Sequence, residues 1–452
     1  MLRRLAARHP RRYPLLLDSA ATGPLSAASV LLAAPSAALW LDRAGRIGAQ
    51  GMTAEGGGFI ASLENWWRSE RLPVAGDEGA ASRFSGGWAL FLGYELAGEI
   101  EPKLALPPTP LPWQAFALRT HGALVLDLQT ARVSAVAEDE ATLDCLVAEA
   151  LEVSREPPAT EDLRIESVRE EDPEAYLWRV RRAKEYVRAG DIYQANLSRP
   201  WDVLIRAPRQ PGGVPQAPHS GVAAALYERL CAANPAPFAA LAQWQGISIL
   251  SSSPERLVRV DGRRVDTRPI AGTRPRSRDP ARERGEMSEL AAHPKERAEH
   301  IMLIDLERND LGRVCEAGSV RVDELMTIES YQHVHHIVSN VSGRLRAGVT
   351  PLGAARAVFP GGTITGCPKF RCMQIIAELE GLGRGAYTGS LGYLTRDGRL
   401  DLNILIRTMT LRGQALSFRA GAGIVADSDP ERELEETRAK ARGLLAALEN
   451  AE

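Results

Sequence analysis

Two acidic clusters in this chain have the spacing needed to work together. In the run Lys295-Glu296-Arg297-Ala298-Glu299-His300, the two glutamates are three residues apart and share a helix face. Near the C-terminus Glu433, Glu436 and Lys440 are spaced by three and four and fall on one stripe, while Leu434, Ala441, Leu445 and Leu448 form another. A carboxylate pair from each of two helices suits a hard, oxygen-preferring ion such as Mg²⁺, which takes few protein ligands and keeps its waters. Charges on helix faces are as a rule simply solvated, so other residues must decide.

Several other residues bear on that choice. Gly421-Ala422-Gly423 closes an apolar run and offers backbone N–H groups that can hold a carboxylate, or forms an ordinary turn. Arg407 stands among apolar residues in NILIRTMT, where a bidentate carboxylate partner or a structural ion pair is expected. Gly361-Gly362-Thr363 with Thr365-Gly366 can form a backbone cradle, but no GK[ST] follows and it is not a nucleotide-binding P-loop. His335 and His336 are candidates for an acid or base, or for structural roles.

These residues need elements to position them. The first 150 residues alternate short apolar runs with Gly, Pro and Ser, as strands and turns do; LLLDSA reads as a first strand and the basic start before it as a solvated arm. Residues 102–112 and 205–221 are proline-rich and read as loops, and polar 153–162 marks a boundary. The expected division is an N-terminal subdomain over 1–155 and a catalytic domain over 165–450. Helices are predicted over 173–189, 294–306, from about Pro368, and from Pro430 to Leu448. Residues 389–427 read as three strands with turns at Asp397-Gly398 and Arg412-Gly413. Strands grouped in hairpins with helices between groups predict an α+β fold rather than a doubly wound parallel sheet.

Bulk properties exclude several functions. With 452 residues the chain can bury a sizeable core, and a net charge of −2 gives no footprint for nucleic acid or a membrane surface. No apolar run is long enough to span a bilayer. The five cysteines are scattered, without CxxC spacing, so neither disulfides nor zinc are predicted and a cytoplasmic location is expected.

Read together, these segments resemble the chorismate-binding family, which includes anthranilate, aminodeoxychorismate, isochorismate and salicylate synthases. The matching runs, in order, are GDIYQANLS (190–198), SPER (253–256), PIAGTR (269–274), Glu299-His300 through DLERND (305–310), HIVS (336–339), GCPK (366–369), IRT (406–408), GAGIV (421–425) and ELEET (433–437). Toward the N-terminus LLDS (16–19) and GYE (93–95) look like the family's N-terminal subdomain. The resemblance implies antiparallel sheets packed in a sandwich with helices outside and intertwined subdomains. It implies Mg²⁺ held by Glu299 and Glu436, with Glu296 and Glu433 nearby or bound through water. Tyr387, Arg407, Lys440, Thr365 and the backbone of Gly421, Ala422 and Gly423 would hold chorismate. Glu255, Thr273 and His336 match catalytic positions, the latter with Glu255 in acid–base roles. Leu17, Ser19, Asn234, Pro235 and Phe238 match the family's tryptophan pocket.

Residues within these motifs also address the reaction. Water-adding members carry Lys near the position of Gln194; a Lys can activate water and a Gln cannot, so amination is expected, with ammonia from a separate glutamine amidotransferase. The segments NPAPF (234–238), VHHIV (334–338), FPGG (359–362) and GCPK are similar to aminodeoxychorismate synthases, which predicts amination to 4-amino-4-deoxychorismate for 4-aminobenzoate and folate synthesis. Against that stands Ala271: the aminodeoxychorismate synthases read PIKGT with a nucleophilic Lys, and this chain reads PIAGT, as anthranilate synthases do. The alternative is therefore amination that yields anthranilate and pyruvate. Isochorismate or salicylate synthesis, or a non-catalytic subunit binding chorismate or tryptophan, are lesser alternatives.

Overall fold

The computed structural model describes all residues except 22, 24, 26, 74–83, 85, 156–162, 207–219, 277–278, 293, 332–333 and 450–452. Most of the proline-rich 205–221 run and of the 153–162 boundary lies outside the described residues.

One continuous path of antiparallel ladders organises the molecule. It runs through strands Arg164–Glu170, Gln194–Arg206, Ala415–Ile424, Thr408–Arg412, Ile247–Ser253, Phe238–Trp244 and Leu15–Asp18. It continues through Ala28–Asp42, Trp113–Asp127, Gly87–Leu92, Ser390–Thr395, Leu400–Asn403, Arg256–Asp261, Arg264–Thr267 and Val334–Arg344. N-terminal strands are thus inserted between C-terminal ones, and the fold is α+β with intertwined halves as expected. The path doubles back on itself. Trp244 packs against Trp113 and Phe116 at centroid distances of 5.7 and 4.7 Å, although two strands separate theirs along the path. Facing sheet halves share this apolar layer with Leu15, Leu32, Phe91, Ile249 and Leu391.

Helices cover the outside. Pro173–Arg188, Lys369–Glu380 and Pro430–Leu448 bury Tyr176, Val180, Ile375, Ile376 and Leu434 against Ala195, Leu197, Ala422 and Ile424. Their ends follow from local chemistry. Asp172 accepts from the Glu174 N–H and Asp429 from the Arg432 N–H, each ahead of a proline in the first turn, and Gly381 ends the middle helix at φ 62°.

Three sequence expectations need correction. The basic start is not a solvated arm: helix Leu2–Arg8 buries Leu2, Leu5 and Ala6, and Arg3 pairs with Asp18 at 2.7 Å. The predicted 294–306 helix continues to Gly312. Residues 389–427 hold four strands, not three, because the chain breaks between Leu400–Asn403 and Thr408–Arg412. Arg407 sits in that break at φ 51°, a left-handed conformation that no ladder accommodates. Among the described residues, no helix is long and apolar enough to cross a membrane.

Candidate active site

The site is built where strand Ala415–Ile424 outruns its neighbour. Thr408–Arg412 pairs only as far as Phe418, so among the described residues the Arg419–Ile424 end keeps one edge without a ladder partner while the other pairs with Gln194–Arg206. On that end Gly421 and Gly423 leave room. A Cβ on Gly421 would stand 2.7 Å from Tyr387 Oη, and one on Gly423 would collide with Gln194 Nε2 and approach Glu299 Oε1 to 3.5 Å. Lys440 Nζ donates to the Gly421 carbonyl at 3.0 Å and pairs with Glu436 at 2.8 Å. Gln194 Nε2 donates to Glu299 Oε1 at 2.9 Å. The two predicted acidic helices therefore both reach the Gly421–Gly423 edge.

Fixing the Gln194 amide by its NH₂ group has a consequence. Its Oε1 is buried without a hydrogen-bond donor among the described residues, and so is Oδ1 of Asn196, which lies 2.9 Å from the Cβ position of Gly421. Each of these two acceptors is thus left without a donor among the described residues, and such groups are costly unless a ligand completes them.

Arg407 links this edge to a second group. Its guanidinium makes no ion pair with a described residue; burial lowers its pKa and Glu255 opposes that. Its charge also acts on Lys440 and on His336. A buried cation of this kind is completed by an incoming carboxylate. Glu255 accepts from Thr363 Oγ1 at 2.8 Å, and burial pushes its pKa up to about 8, against the Thr363 bond and with help from Glu307. It is a protonated acid at neutral pH. Burial and then Arg407 push His336 down to about 3, so it stays neutral. Ala271 pairs with Ile337 and Thr273 with His336 in adjoining strands; the Thr273 side chain lies outside the described residues.

Other predicted site residues lie elsewhere or serve the scaffold. Thr365 spends its hydroxyl on the Gly361 carbonyl at 2.8 Å. The Gly361–Gly362 run is not an open cradle: a Cβ on Gly361 would stand 2.8 Å from Ile404, and the Gly362 N–H bonds to Glu307. Glu296 pairs with Arg274 at 2.8 Å and Glu433 is buried, so the four predicted metal carboxylates are in unlike settings. Among the described residues no three acids, histidines or cysteines converge on one metal position. Leu17 and Phe238 stand on the paired strands Leu15–Asp18 and Phe238–Trp244, with Ser19, Asn234 and Pro235 at their ends. There Ser19 Oγ donates to the Ala28 carbonyl at 2.9 Å, Asn234 donates to Ser252 at 2.7 Å, and Arg256 stacks 5.0 Å from the Phe238 ring. A groove of about 760 Å³ lined by Pro14, Trp244 and Leu411 shares no residue with the site. Sequence reasoning missed Asn196 and Glu307, although both lie inside quoted motifs, because only their buried tertiary surroundings distinguish them: an acceptor without a donor among the described residues for Asn196, and the Gly362 N–H and Thr267 hydroxyl for Glu307.

Residues 62–446 match the family model described as chorismate binding enzyme. This chain belongs to that family. Among its relatives, the anthranilate synthase component I-like protein of Synechocystis is 41% identical over 81% of this chain and 73% of its own length. Anthranilate synthase component 1 of Streptomyces coelicolor is 40% identical over 88% of this chain and 78% of its own. The crystal structure of anthranilate synthase component I from Streptococcus pneumoniae superposes with a TM-score of 0.79 at 28% identity, covering 94% of this chain and 93% of that one. The menaquinone-specific isochorismate synthase of Escherichia coli shares the fold at a TM-score of 0.61 and 19% identity, over 86% of this chain and 99% of that one.

These names overturn the expectation of an aminodeoxychorismate synthase, and with it the 4-aminobenzoate and folate assignments. The physical reason is in the four segments that carried that expectation. In this chorismate-binding enzyme they hold the scaffold: Asn234 binds Ser252, Val334 and its neighbours form a ladder, Gly361 and Gly362 pack under Ile404 and Leu306, and Lys369 binds Asp310 and the Val358 carbonyl. Ala271, the one residue among the discriminating features with a covalent role to play or lack, offers no amine.

Proposed function

We propose that this chorismate-binding enzyme is the synthase component that converts chorismate and ammonia to anthranilate, pyruvate and water. The observation that carries this reading is the agreement of its relatives, named anthranilate synthase component 1 and aligned over most of the chain. Ala271 agrees with it, because no side-chain amine is available to attack the ring first.

The residues take roles that their surroundings support. Arg407, Lys440, Tyr387 and the Gly421–Gly423 edge hold a substrate carboxylate. Oε1 of Gln194 accepts an N–H of ammonia and aims its lone pair at the ring, in amination at C2. Glu255 gives its proton to the departing 4-hydroxyl, which leaves as water. His336, neutral, takes the C2 proton as the enolpyruvyl C–O bond breaks and the ring becomes aromatic; a proton returned to the enolpyruvate methylene carbon gives pyruvate, and the added nitrogen sheds its extra proton to restore Glu255.

A Mg²⁺ ion fits the donors present. Such an ion needs only one or two carboxylates and keeps its waters, and Glu299 and Glu436 reach the strand edge from separate helices. Glu299 and Glu436 would hold the ion, while Glu296 is already paired with Arg274 and Glu433 would act on it only from nearby. When bound, the ion supplies a Lewis acid for a substrate carboxylate. The ammonia comes from a separate glutamine amidotransferase, in keeping with relatives that are named as one component of a synthase.

Product identity is the test. The purified chain is incubated with chorismate, Mg²⁺ and ammonium at mildly alkaline pH, and products are resolved by chromatography and mass. Anthranilate and pyruvate in equal amounts are expected, with glutamine unable to replace ammonium until an amidotransferase is added. An aminated species that retains its enolpyruvyl group, and that only an added lyase converts, would sink the reading.

A further inference from the structure

Beneath Glu255 a line of buried acids crosses three elements. Thr363, in the short turn Gly362–Ile364, donates to Glu255 Oε1 at 2.8 Å. The preceding residue, Gly362, gives its N–H to Glu307 of helix Pro294–Gly312, whose Oε1 lies 3.3 Å from the Cβ position of Gly362. Thr267 Oγ1 donates to Glu307 Oε2 at 3.1 Å. One turn along the same helix Asp310 pairs with Lys369, which also donates to the Val358 carbonyl at 2.9 Å. Glu255 and Glu307 are both nearly inaccessible, at 4% and 3% exposure. Arg407 faces Glu255 from the substrate side and the Ile270 N–H bonds to it; Arg313 faces Asp310 from the far end. Among the described residues, the one cation in hydrogen-bond contact with these acids, Lys369, is held by Asp310 rather than by Glu307.

We propose that Glu307 is a positioning residue for Glu255: it anchors the turn that presents Thr363, and as a second buried carboxyl it keeps Glu255 in the acid form. The inference rests on the reading of Glu255 as the proton donor. Adjacent residues of one rigid turn grip the two acids, so moving Glu307 moves Thr363. Two negative charges share this space poorly, since among the described residues no cation is in hydrogen-bond contact with either Glu255 or Glu307. Burial, and then Asp310, push the Glu307 pKa up, while Glu307 in turn raises that of Glu255. The pair titrates as a unit.

Glu307→Gln keeps the shape and removes the charge. The alkaline limb of the kcat–pH profile, where the acid form of Glu255 is lost, is expected to move down by about one pH unit, the size of effect a neighbouring like charge commonly has. The infrared carboxyl band assigned by its loss in Glu255→Gln is expected to titrate lower by the same interval. Glu307→Asp, too short to reach Gly362, is expected to lower kcat without moving the limb downward. An unmoved limb and an unmoved band in a folded Glu307→Gln protein would overturn the proposal. Should that variant fail to fold, the unaltered enzyme decides: two buried carboxyl bands that lose intensity in coupled steps support the pairing, and independent loss in the normal carboxylate range refutes it. The infrared readout needs no turnover, so a failure to make anthranilate would strike the proposed function and leave this coupling to be judged separately.

Discussion

A glutamic acid that stays protonated at neutral pH must be kept so at the expense of stability. Glu255 is raised by burial from 4.5 to about 8, so between those values the folded chain binds more protons than the unfolded chain. Stability contributed by this group is therefore full at low pH and declines as pH rises through that window. Glu255→Gln is expected to melt a few degrees higher than the unaltered protein near pH 8 and to show no such gain at pH 4. It should also lose most turnover. Thermal melts at the two pH values check the sign; a gain confined to acid would contradict the burial argument. The same logic applies to Arg407, whose buried charge meets no ion pair among the described residues. Both residues are destabilising in isolation and make sense together as the two sides of a substrate site.

At the scale of elements, the site depends on an unequal pair of strands. Ala415–Ile424 extends beyond Thr408–Arg412, and the excess edge is where Lys440, Gln194 and Glu299 converge. Glycine at 423 keeps that edge bare. Gly423→Ala places a methyl against the Gln194 amide, the movable end of a side chain, so the fold should survive while Gln194 leaves Glu299. We expect chorismate turnover to fall about tenfold or more, with a melting temperature close to the original. Steady-state kinetics alongside a thermal melt separate the two effects. An unchanged kcat/KM would show that the Gln194–Glu299 contact has no part in catalysis. Helix positions were legible beforehand from Pro173, Pro368 and Pro430, because prolines act within one turn, whereas the Gly381 stop came only with the structure. The interruption at Arg407 was not legible, because its neighbours are strand formers and only the surroundings impose its left-handed backbone.

Across the whole molecule, the N-terminal third is part of the catalytic sheet. Leu15–Asp18 bridges Ala28–Asp42 and Phe238–Trp244, and Gly87–Leu92 pairs with Ser390–Thr395. Glu95 accepts from the N–H groups of Arg384 and Gly385, at 2.6 and 3.1 Å, just ahead of Tyr387. Arg384 in turn binds Glu380 and the Asn196 carbonyl. A fragment beginning at residue 165 would expose two strand edges and the apolar layer around Phe91, Trp113 and Trp244. It is expected not to melt cooperatively and to aggregate. A soluble fragment with a sharp calorimetric transition would show that the two parts are separable after all.

Much about this protein was determined by sequence alone, where the cause is local or the motif is long. Glu296 with Glu299, and Glu433 with Glu436 and Lys440, share faces because helical spacing is fixed; the ordered runs from GDIYQANLS to ELEET carried the family and the α+β fold. Which member of that family it resembles was misread, because four segments were weighed by likeness although most of their residues serve the scaffold, and they outvoted Ala271. Tertiary structure decided what each charge meets: that Gln194 is pinned by Glu299 with its carbonyl free, that Glu296 is taken by Arg274, and that Glu307 lies one residue's grip away from Glu255. Burial and electrostatic pairing arise between residues a hundred positions apart, and no periodicity along the chain records them.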